Sequence, residues 1–177
     1  MKKLNILITF SLLSIIAFAA IDWTPTSGSV KFYIKNTGIT VDGSLSGIKS
    51  SIKFDENDLE NSNIYASVNV STINTGIGKR DEHVKGEEYF DAENYPKIEM
   101  KSTSFTKTNK GFNGVFKTTI KGKTKSINVP FTFTTNGETG KFVGSLNLDR
   151  LDYGVGKSSF LLSNDVKVRL TLSVKKK

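Results

Sequence analysis

Apolar and polar residues alternate with a period of two over most of this chain. Near the start, Val30, Phe32 and Ile34 fall on one side of an extended segment, and residues 166–174 repeat the pattern most clearly. Such alternation is typical of β-strands with one buried face and one solvated face. About eight segments of useful length show it, which predicts an all-β protein folded as a single domain.

Turn residues separate these segments. Asn36-Thr37-Gly38, Lys121-Gly122-Lys123 and Asn136-Gly137 each lie between two alternating stretches and favour hairpin connections. About eight antiparallel strands joined in this way predict an up-and-down barrel or a two-sheet sandwich. A closed barrel has no exposed strand edges, and one of eight strands can hold a single small ligand.

The face that the alternation turns inward is almost wholly apolar. Several of its positions are small, which leaves volume inside the fold and favours a cavity. Glycine in a strand can instead mark a bulge or a bend, so each position taken alone is ambiguous. The small inward positions are Ala66, Ser102, Ser104, Gly114 and Gly144.

Residues 76–96, called the insert below, interrupt the alternation. The insert is rich in charged and aromatic residues and contains the only histidine of the chain, His83. A short stretch from Lys79 to Lys85 predicts a helix. Because a non-strand insert in a β protein commonly covers or gates an opening, we expect this one to act as a lid over one end of the barrel.

Polar residues of the insert are candidates for binding a ligand headgroup or for holding the lid. A helix beginning near Lys79 places Arg80 and His83 on one side, and the planar fork of arginine suits phosphate or carboxylate. Alternatively, Arg80 and Asp81 tie the insert to the barrel rim through structural hydrogen bonds. The aromatic residues Tyr89, Phe90 and Tyr95 are expected to pin the insert over the apolar end.

The sequence offers little catalytic or metal-binding chemistry. It has no cysteine and a single histidine, which excludes a thiolate nucleophile and a multi-histidine metal site. No serine lies in a G-x-S-x-G context. Carboxylate pairs such as Asp81-Glu82 could do acid–base work, but such runs are more often solvated surface. We therefore expect no enzyme, no metal and no cofactor.

The first residues predict export. Lys2 and Lys3 precede an apolar run over residues 4–16, and Ala17-Phe18-Ala19 supplies a small-x-small cleavage site. This predicts a signal peptide over residues 1–19, cleaved near Ala19, and a domain over residues 20–177 without a transmembrane segment. The net charge of +8 can attract anions, although a solvated lysine-rich surface is the favoured explanation. Export argues against nucleic acid as the partner.

Several blocks of the sequence closely resemble the YceI-like family. The most specific run from Arg80-Asp81-Glu82-His83 through Tyr89-Phe90-Asp91 to Tyr95-Pro96, and Arg150-Leu151-Asp152-Tyr153-Gly154-Val155-Gly156 agrees in order. The resemblance spans essentially the whole mature chain. It implies a lipocalin-like antiparallel barrel in the periplasm that holds a long polyisoprenoid or similar amphiphile in an apolar tunnel.

The alternation predicts an apolar interior, and the resemblance implies that it binds, stores or carries an isoprenoid-type lipid, such as a polyprenyl or quinone-like compound, without acting as an enzyme. The headgroup or lid residues are expected to be Arg80, Asp81, His83, Phe90 and Tyr95. The tail is expected to lie among Phe32, Phe54, Val68, Phe116, Phe131, Phe133, Leu146 and Leu170.

Two alternatives stay open. One is a stress-response or interaction module whose barrel is filled by its own side chains. The other is an enzyme acting on a bound lipid, with His83 or an insert carboxylate as acid or base. The exposed aromatic residues Tyr33 and Tyr65 are compatible with a contact surface, including that of a homodimer.

Overall fold

The computed structural model describes residues 21–177, so the predicted signal peptide lies outside the described residues. The described chain contains nine strands, one short α-helix and two 3₁₀ turns, at Val70–Thr72 and Arg150–Tyr153. The α-helix, α1, spans Gly78–Lys85. The strands are β1 (Asp22–Asn36), β2 (Ile39–Leu45), β3 (Lys49–Lys53), β4 (Asn63–Asn69), β5 (Lys97–Thr108), β6 (Gly111–Ile120), β7 (Lys123–Asn136), β8 (Thr139–Asp149) and β9 (Leu162–Lys176).

The strands form one closed antiparallel sheet. The long strand β1 closes it, because one edge of β1 pairs with β9 from Trp23 to Asn36. On its other edge, residues 30–36 pair with β2 and residues 22–23 pair with β3. β2 and β3 therefore share one position in a ring that is otherwise built from consecutive neighbours. The fold is the lipocalin-like antiparallel barrel that the sequence predicts, and the sandwich is excluded.

One end of the barrel is filled by aromatic side chains. Phe54 is fully buried at its centre and makes edge-to-face contacts with five other phenylalanines at ring-centroid distances of 5.1 to 5.7 Å. Trp23 joins them, and its indole Nε1 donates to the Phe54 carbonyl oxygen at 2.9 Å. We call this group the aromatic core. It consists of Trp23, Phe54, Phe105, Phe112, Phe131, Phe133 and Phe142.

A bulge in β5 corrects one part of the predicted pattern. Ser102 pairs with Phe116 and Ser104 with Val115, which leaves Thr103 as an extra residue between them. The extra residue reverses the faces that follow it. Ser104 is consequently exposed, whereas Phe105 is buried in the aromatic core. The prediction that Ser104 points inward is therefore wrong.

The insert covers the opposite end of the barrel, as expected. On one side Asn74 and Ser44 exchange backbone hydrogen bonds of 2.8 and 2.9 Å, which attaches the chain entering the insert to β2. On the other side Lys121, in the β6–β7 turn, donates to the carbonyl oxygen of Glu87 at 2.7 Å. Phe90 packs between two apolar clusters at this end, one around Val68 and one around Tyr153.

Candidate functional site

A cavity of about 530 Å³ lies inside the barrel between the aromatic core and the insert. Its volume falls within the range of about 300–1,000 Å³ typical of small-molecule sites. Side chains from β1, β8 and β9 form much of the wall, and most are aliphatic. Many of them are only half-buried although they point inward, because they face the cavity. Examples are Ile34, Val166, Val168 and Leu170.

The structure brings most of the predicted tail-binding residues to this cavity. Its wall includes Phe32, Val68, Phe116, Phe131, Leu146 and Leu170. Phe54 and Phe133 do not line it and instead fill the aromatic core. Phe54 comes directly after the end of β3, where its ring lies among five others, and Phe133 stacks on Phe142 at 4.3 Å. Their rings close the barrel, so their assignment to the tunnel wall is corrected.

The small inward residues explain the cavity only in part. Ala66 and Gly144 line it. Gly114 does not, because a Cβ at this position would lie 2.5 Å from the Phe116 ring and 3.0 Å from the Phe105 ring. Gly114 therefore makes room for aromatic packing rather than for a ligand. The rest of the wall is formed mainly by aliphatic side chains, together with the rings of Phe32, Phe116 and Phe131.

Of the predicted headgroup or lid residues, Arg80, His83 and Phe90 line the cavity. Asp81 does not, because its carboxylate accepts hydrogen bonds from Thr75, at 2.7 Å from the backbone N–H and 2.6 Å from the hydroxyl. Arg80 also binds Thr75, with its Nε donating to Thr75 Oγ1 at 2.8 Å. Asp81 and Arg80 thus both hold α1 to Thr75, in the segment that precedes the helix. Both residues make the structural hydrogen bonds of the alternative interpretation, although their partner is Thr75 and not a barrel strand.

The hydrogen bonds at Asp81 also affect its protonation. The Thr75 hydroxyl, and after it the Thr75 backbone N–H, lower the pKa of Asp81 below its ordinary value of 3.8.

Tyr95 lies outside the cavity, where its ring packs over Gly122 in the β6–β7 turn. Asp81 and Tyr95 therefore fasten the insert, and only Arg80 and His83 of the polar candidates reach the cavity wall.

Arg150 is a cavity residue that sequence reasoning did not assign to the site. It is 4% exposed, and its guanidinium donates to the carbonyl oxygens of Val155 at 2.8 Å, Lys157 at 2.7 Å and Ser163 at 2.9 Å. Within residues 21–177 neither Arg80 nor Arg150 forms an ion pair. The sequence feature that could have pointed to Arg150 is the block 150–156, which directly follows an alternating strand.

Aromatic and hydroxyl groups accompany the two arginines. The ring centroids of His83 and Tyr89 lie 5.0 Å apart. Gly156 packs against both Tyr89 and Arg150, because a Cβ at this position would lie 2.9 Å from the Tyr89 ring and from the Arg150 guanidinium. Burial, followed by the charge of Asp152, raises the pKa of Tyr153. The Tyr153 hydroxyl finds no hydrogen-bond partner in the described part of the chain. We call Arg80, His83, Tyr89, Arg150 and Tyr153 the polar end of the cavity.

The arrangement is that of an amphiphile site. Most of the wall is apolar, while the arginines and the histidine that line it lie at the end beneath the insert. Residues 21–177 contain no cluster of three metal-ligating side chains. Across the same range, no helix has the length and apolar character needed to span a membrane.

Comparison with known proteins agrees with this architecture. The family model described as the YceI-like domain matches residues 22–174. The chain belongs to the YceI-like family. The Arg80-Asp81-Glu82-His83 step of the YceI-like signature lies on α1, and the block 150–156 supplies the buried Arg150. Both conspicuous parts of the resemblance therefore meet at the polar end.

Relatives of this YceI-like chain are distant in sequence and similar in fold. A UPF0312 protein of Vibrio parahaemolyticus is 25% identical over 152 residues, which cover 80% of each chain. The crystal structure of Burkholderia cenocepacia BcnA superposes with a TM-score of 0.78 at 24% identity, over 82% of this chain and 95% of that one. A structure from Saccharophagus degradans, described as a polyisoprenoid binding domain, gives a TM-score of 0.65 at 14% identity, over 90% and 100% of the chains.

Proposed function

We propose that this YceI-like protein binds the apolar tail of a long-chain isoprenoid-type lipid inside its barrel and stores or carries it without chemical change. The observation that supports this most strongly is the cavity, whose wall is mostly apolar and whose arginines and histidine lie beneath the insert. Such a division matches a molecule with a long hydrocarbon part and a small polar head. The structural neighbour described as a polyisoprenoid binding domain supports the same ligand class.

The energetics favour a tail-driven interaction. Each Å² of apolar surface removed from water contributes about 25 cal/mol, before the costs of association are subtracted. The tail needs no hydrogen bonds to be held, so few polar contacts suffice for tight binding. Leu146 and Leu170, from the adjacent strands β8 and β9, provide the kind of aliphatic surface that a polyprenyl chain covers.

The headgroup is proposed to lie at the polar end, beside Arg80 and His83. Neither arginine there pairs with a carboxylate within the described residues. Arg80 already donates to Thr75 and Arg150 to backbone carbonyl oxygens, so it is their uncompensated positive charge that favours a headgroup carrying negative charge. We therefore propose an isoprenoid compound whose headgroup is anionic or accepts hydrogen bonds. We place the protein in the periplasm on the basis of the leader pattern of residues 1–19.

Filling the cavity tests the tail site. Ala66 lines the cavity, so Ala66→Phe adds a ring to its interior. We expect this variant to lose most of its affinity for a long-chain polyprenol, measured by titration of purified protein. The matched control is Lys101→Phe, which adds the same ring at an exposed position of the neighbouring strand β5 and should bind as the wild type does. Equal affinity in Ala66→Phe and wild type would contradict the proposal.

The headgroup site needs a separate test. His83→Ala is expected to weaken binding of a polyprenyl phosphate and to leave binding of a hydrocarbon of the same chain length unchanged. Glu82→Gln alters the adjacent residue of α1, which does not line the cavity, and serves as the control. An equal loss for both ligands in His83→Ala would place His83 in a purely structural role.

A further inference from the structure

Large apolar side chains are exposed at the covered end of the barrel. Phe160 is fully exposed, and Ile39, Leu161 and Ile77 are 69%, 62% and 53% exposed. They come from three separate segments: the start of β2 next to the β1–β2 turn, the residues just before α1, and the loop before β9. We call residues 35–40, 75–80 and 156–161 the three tips. A folded chain does not gain stability from leaving such side chains in water, so this concentration indicates a contact surface.

Backbone pairing brings the tips to one side of the cavity. The N–H of Thr37 donates to the carbonyl oxygen of Leu161 at 2.6 Å, which joins the first and third tips. The antiparallel bridge between Asn74 and Ser44 directs the second tip back along β2 toward Ile39. The cavity wall includes residues from or beside each tip, namely Asn36, Thr75, Arg80 and Leu162.

The charges of the tips are all of one sign. Their sequences contain Lys35, Lys79, Arg80 and Lys157 and no aspartate or glutamate. Of the acidic residues that follow in α1, Asp81 is bound to Thr75, and Glu82 pairs with Lys85 at 3.0 Å. Glu88 Oε1 lies 3.9 Å from Lys157 Nζ. This ion pair is long and exposed to solvent, so salt readily screens it. The exposed apolar residues are therefore flanked by cations.

The third tip is also held in place. Arg150 donates to the carbonyl oxygens of Lys157 at 2.7 Å and Ser163 at 2.9 Å, on either side of Phe160. Phe160 and Leu161 are thus presented on a loop anchored at both ends. Apolar side chains on an anchored loop lose less conformational entropy when they leave water for an apolar environment than the same side chains on a mobile loop.

We propose that the three tips form a docking face for the anionic surface of a lipid bilayer. The apolar side chains would enter the boundary between headgroups and acyl chains, while the lysines contact lipid phosphates. A second copy of this chain fits the face less well, because it would bring the same cations against each other. Docking itself is independent of the cavity, and only the transfer of a lipid at this face rests on the proposed function.

Co-sedimentation of the mature chain, residues 20–177, with vesicles tests the proposal. We expect binding to vesicles of phosphatidylglycerol and phosphatidylethanolamine, weakening as salt is raised, and little binding to phosphatidylcholine. The combined change Phe160→Ser and Leu161→Ser should lower the affinity for anionic vesicles about tenfold. Tyr65→Ser, which removes an exposed aromatic from β4 outside the tips, is the control and should bind normally.

Three results would overturn the docking face. One is the absence of binding to anionic vesicles, and another is unchanged binding by the Phe160→Ser, Leu161→Ser variant. The third is a dimer, seen by analytical ultracentrifugation, that this variant dissociates, because the face would then belong to a second copy. Lipid extracted from the same preparations reports on the cavity separately. Vesicle binding by a protein with an empty cavity would count against the proposed function while supporting docking.

Discussion

The ring of Phe32 on β1 covers Gly43, the residue directly opposite it on β2. A Cβ at Gly43 would overlap the ring, so the ring occupies the space that a larger residue would need. An aromatic ring over a cross-strand glycine restores the packing that the missing side chain forfeits. Because Phe32 also lines the cavity, the volume left for a ligand depends on glycine at position 43.

Gly43→Ala is therefore expected to turn the Phe32 ring toward the cavity and to lower the affinity for a polyprenol about tenfold, measured by titration. Gly140→Ala is the matched control. Gly140 is covered in the same way by the ring of Phe133, but that ring belongs to the aromatic core. The control should lose about 1–3 kcal/mol of stability and retain its affinity for lipid. Similar affinity losses in both variants would refute the distinction between core and cavity.

Phe54 is the residue on which the closed end depends. Phe54→Ala removes the ring that contacts five others, and we expect the free energy of unfolding to fall by about 3–5 kcal/mol. Urea denaturation followed by the fluorescence of Trp23, the single tryptophan of the chain, measures it. A loss below about 1 kcal/mol would show that the core repacks without this ring.

Arg150 is expected to stabilise the loop that bears the third tip. Arg150→Met leaves the carbonyl oxygens of Val155, Lys157 and Ser163 without their donor, and should cost about 2–4 kcal/mol. Amide hydrogen exchange should accelerate most in residues 154–164. Arg150→Lys should recover only part of the stability, because an ammonium group lacks the planar fork that spans several carbonyls. Full rescue by lysine would show that charge alone matters.

The interaction between Asp81 and Thr75 predicts a pH dependence. The folded-state pKa of Asp81 is lowered, so this carboxylate stabilises the fold fully above its ordinary pKa of 3.8 and ceases to do so as pH falls through the folded value. Asp81→Asn should therefore be less stable than wild type at about pH 6, with the difference narrowing at about pH 3. Thermal unfolding at both pH values measures this, and a difference independent of pH would contradict it.

Most of the fold could be predicted from the sequence, because alternation is a direct consequence of burying one face of a strand. The predictions failed where local geometry changes the period. The bulge at Thr103 exchanges the roles of Ser104 and Phe105, and nothing in the neighbouring residues marks an inserted position. Phe54 continues the alternation of β3 although the strand has ended, so the pattern could not show that its ring fills the end of the barrel.

The sequence predicts which residues of the candidate site point into the barrel, but it predicts only in part which of them line the cavity. Strand alternation identifies residues such as Leu146 and Leu170 as inward, and both line the cavity. It cannot tell which inward residues face free space, since that depends on how far rings from other strands reach. Arg150 was missed because a buried arginine paired only with carbonyl oxygens leaves no charged partner in the sequence.

If the proposed function is right, the barrel of the purified protein holds an isoprenoid-type lipid. The most direct measurement is organic extraction of the purified protein followed by mass spectrometry, with Ala66→Phe prepared in parallel. We expect close to one isoprenoid lipid per wild-type chain and far less in the variant. A wild-type protein that carries no lipid, and that also fails to take up added polyprenol or polyprenyl phosphate, would contradict the claim.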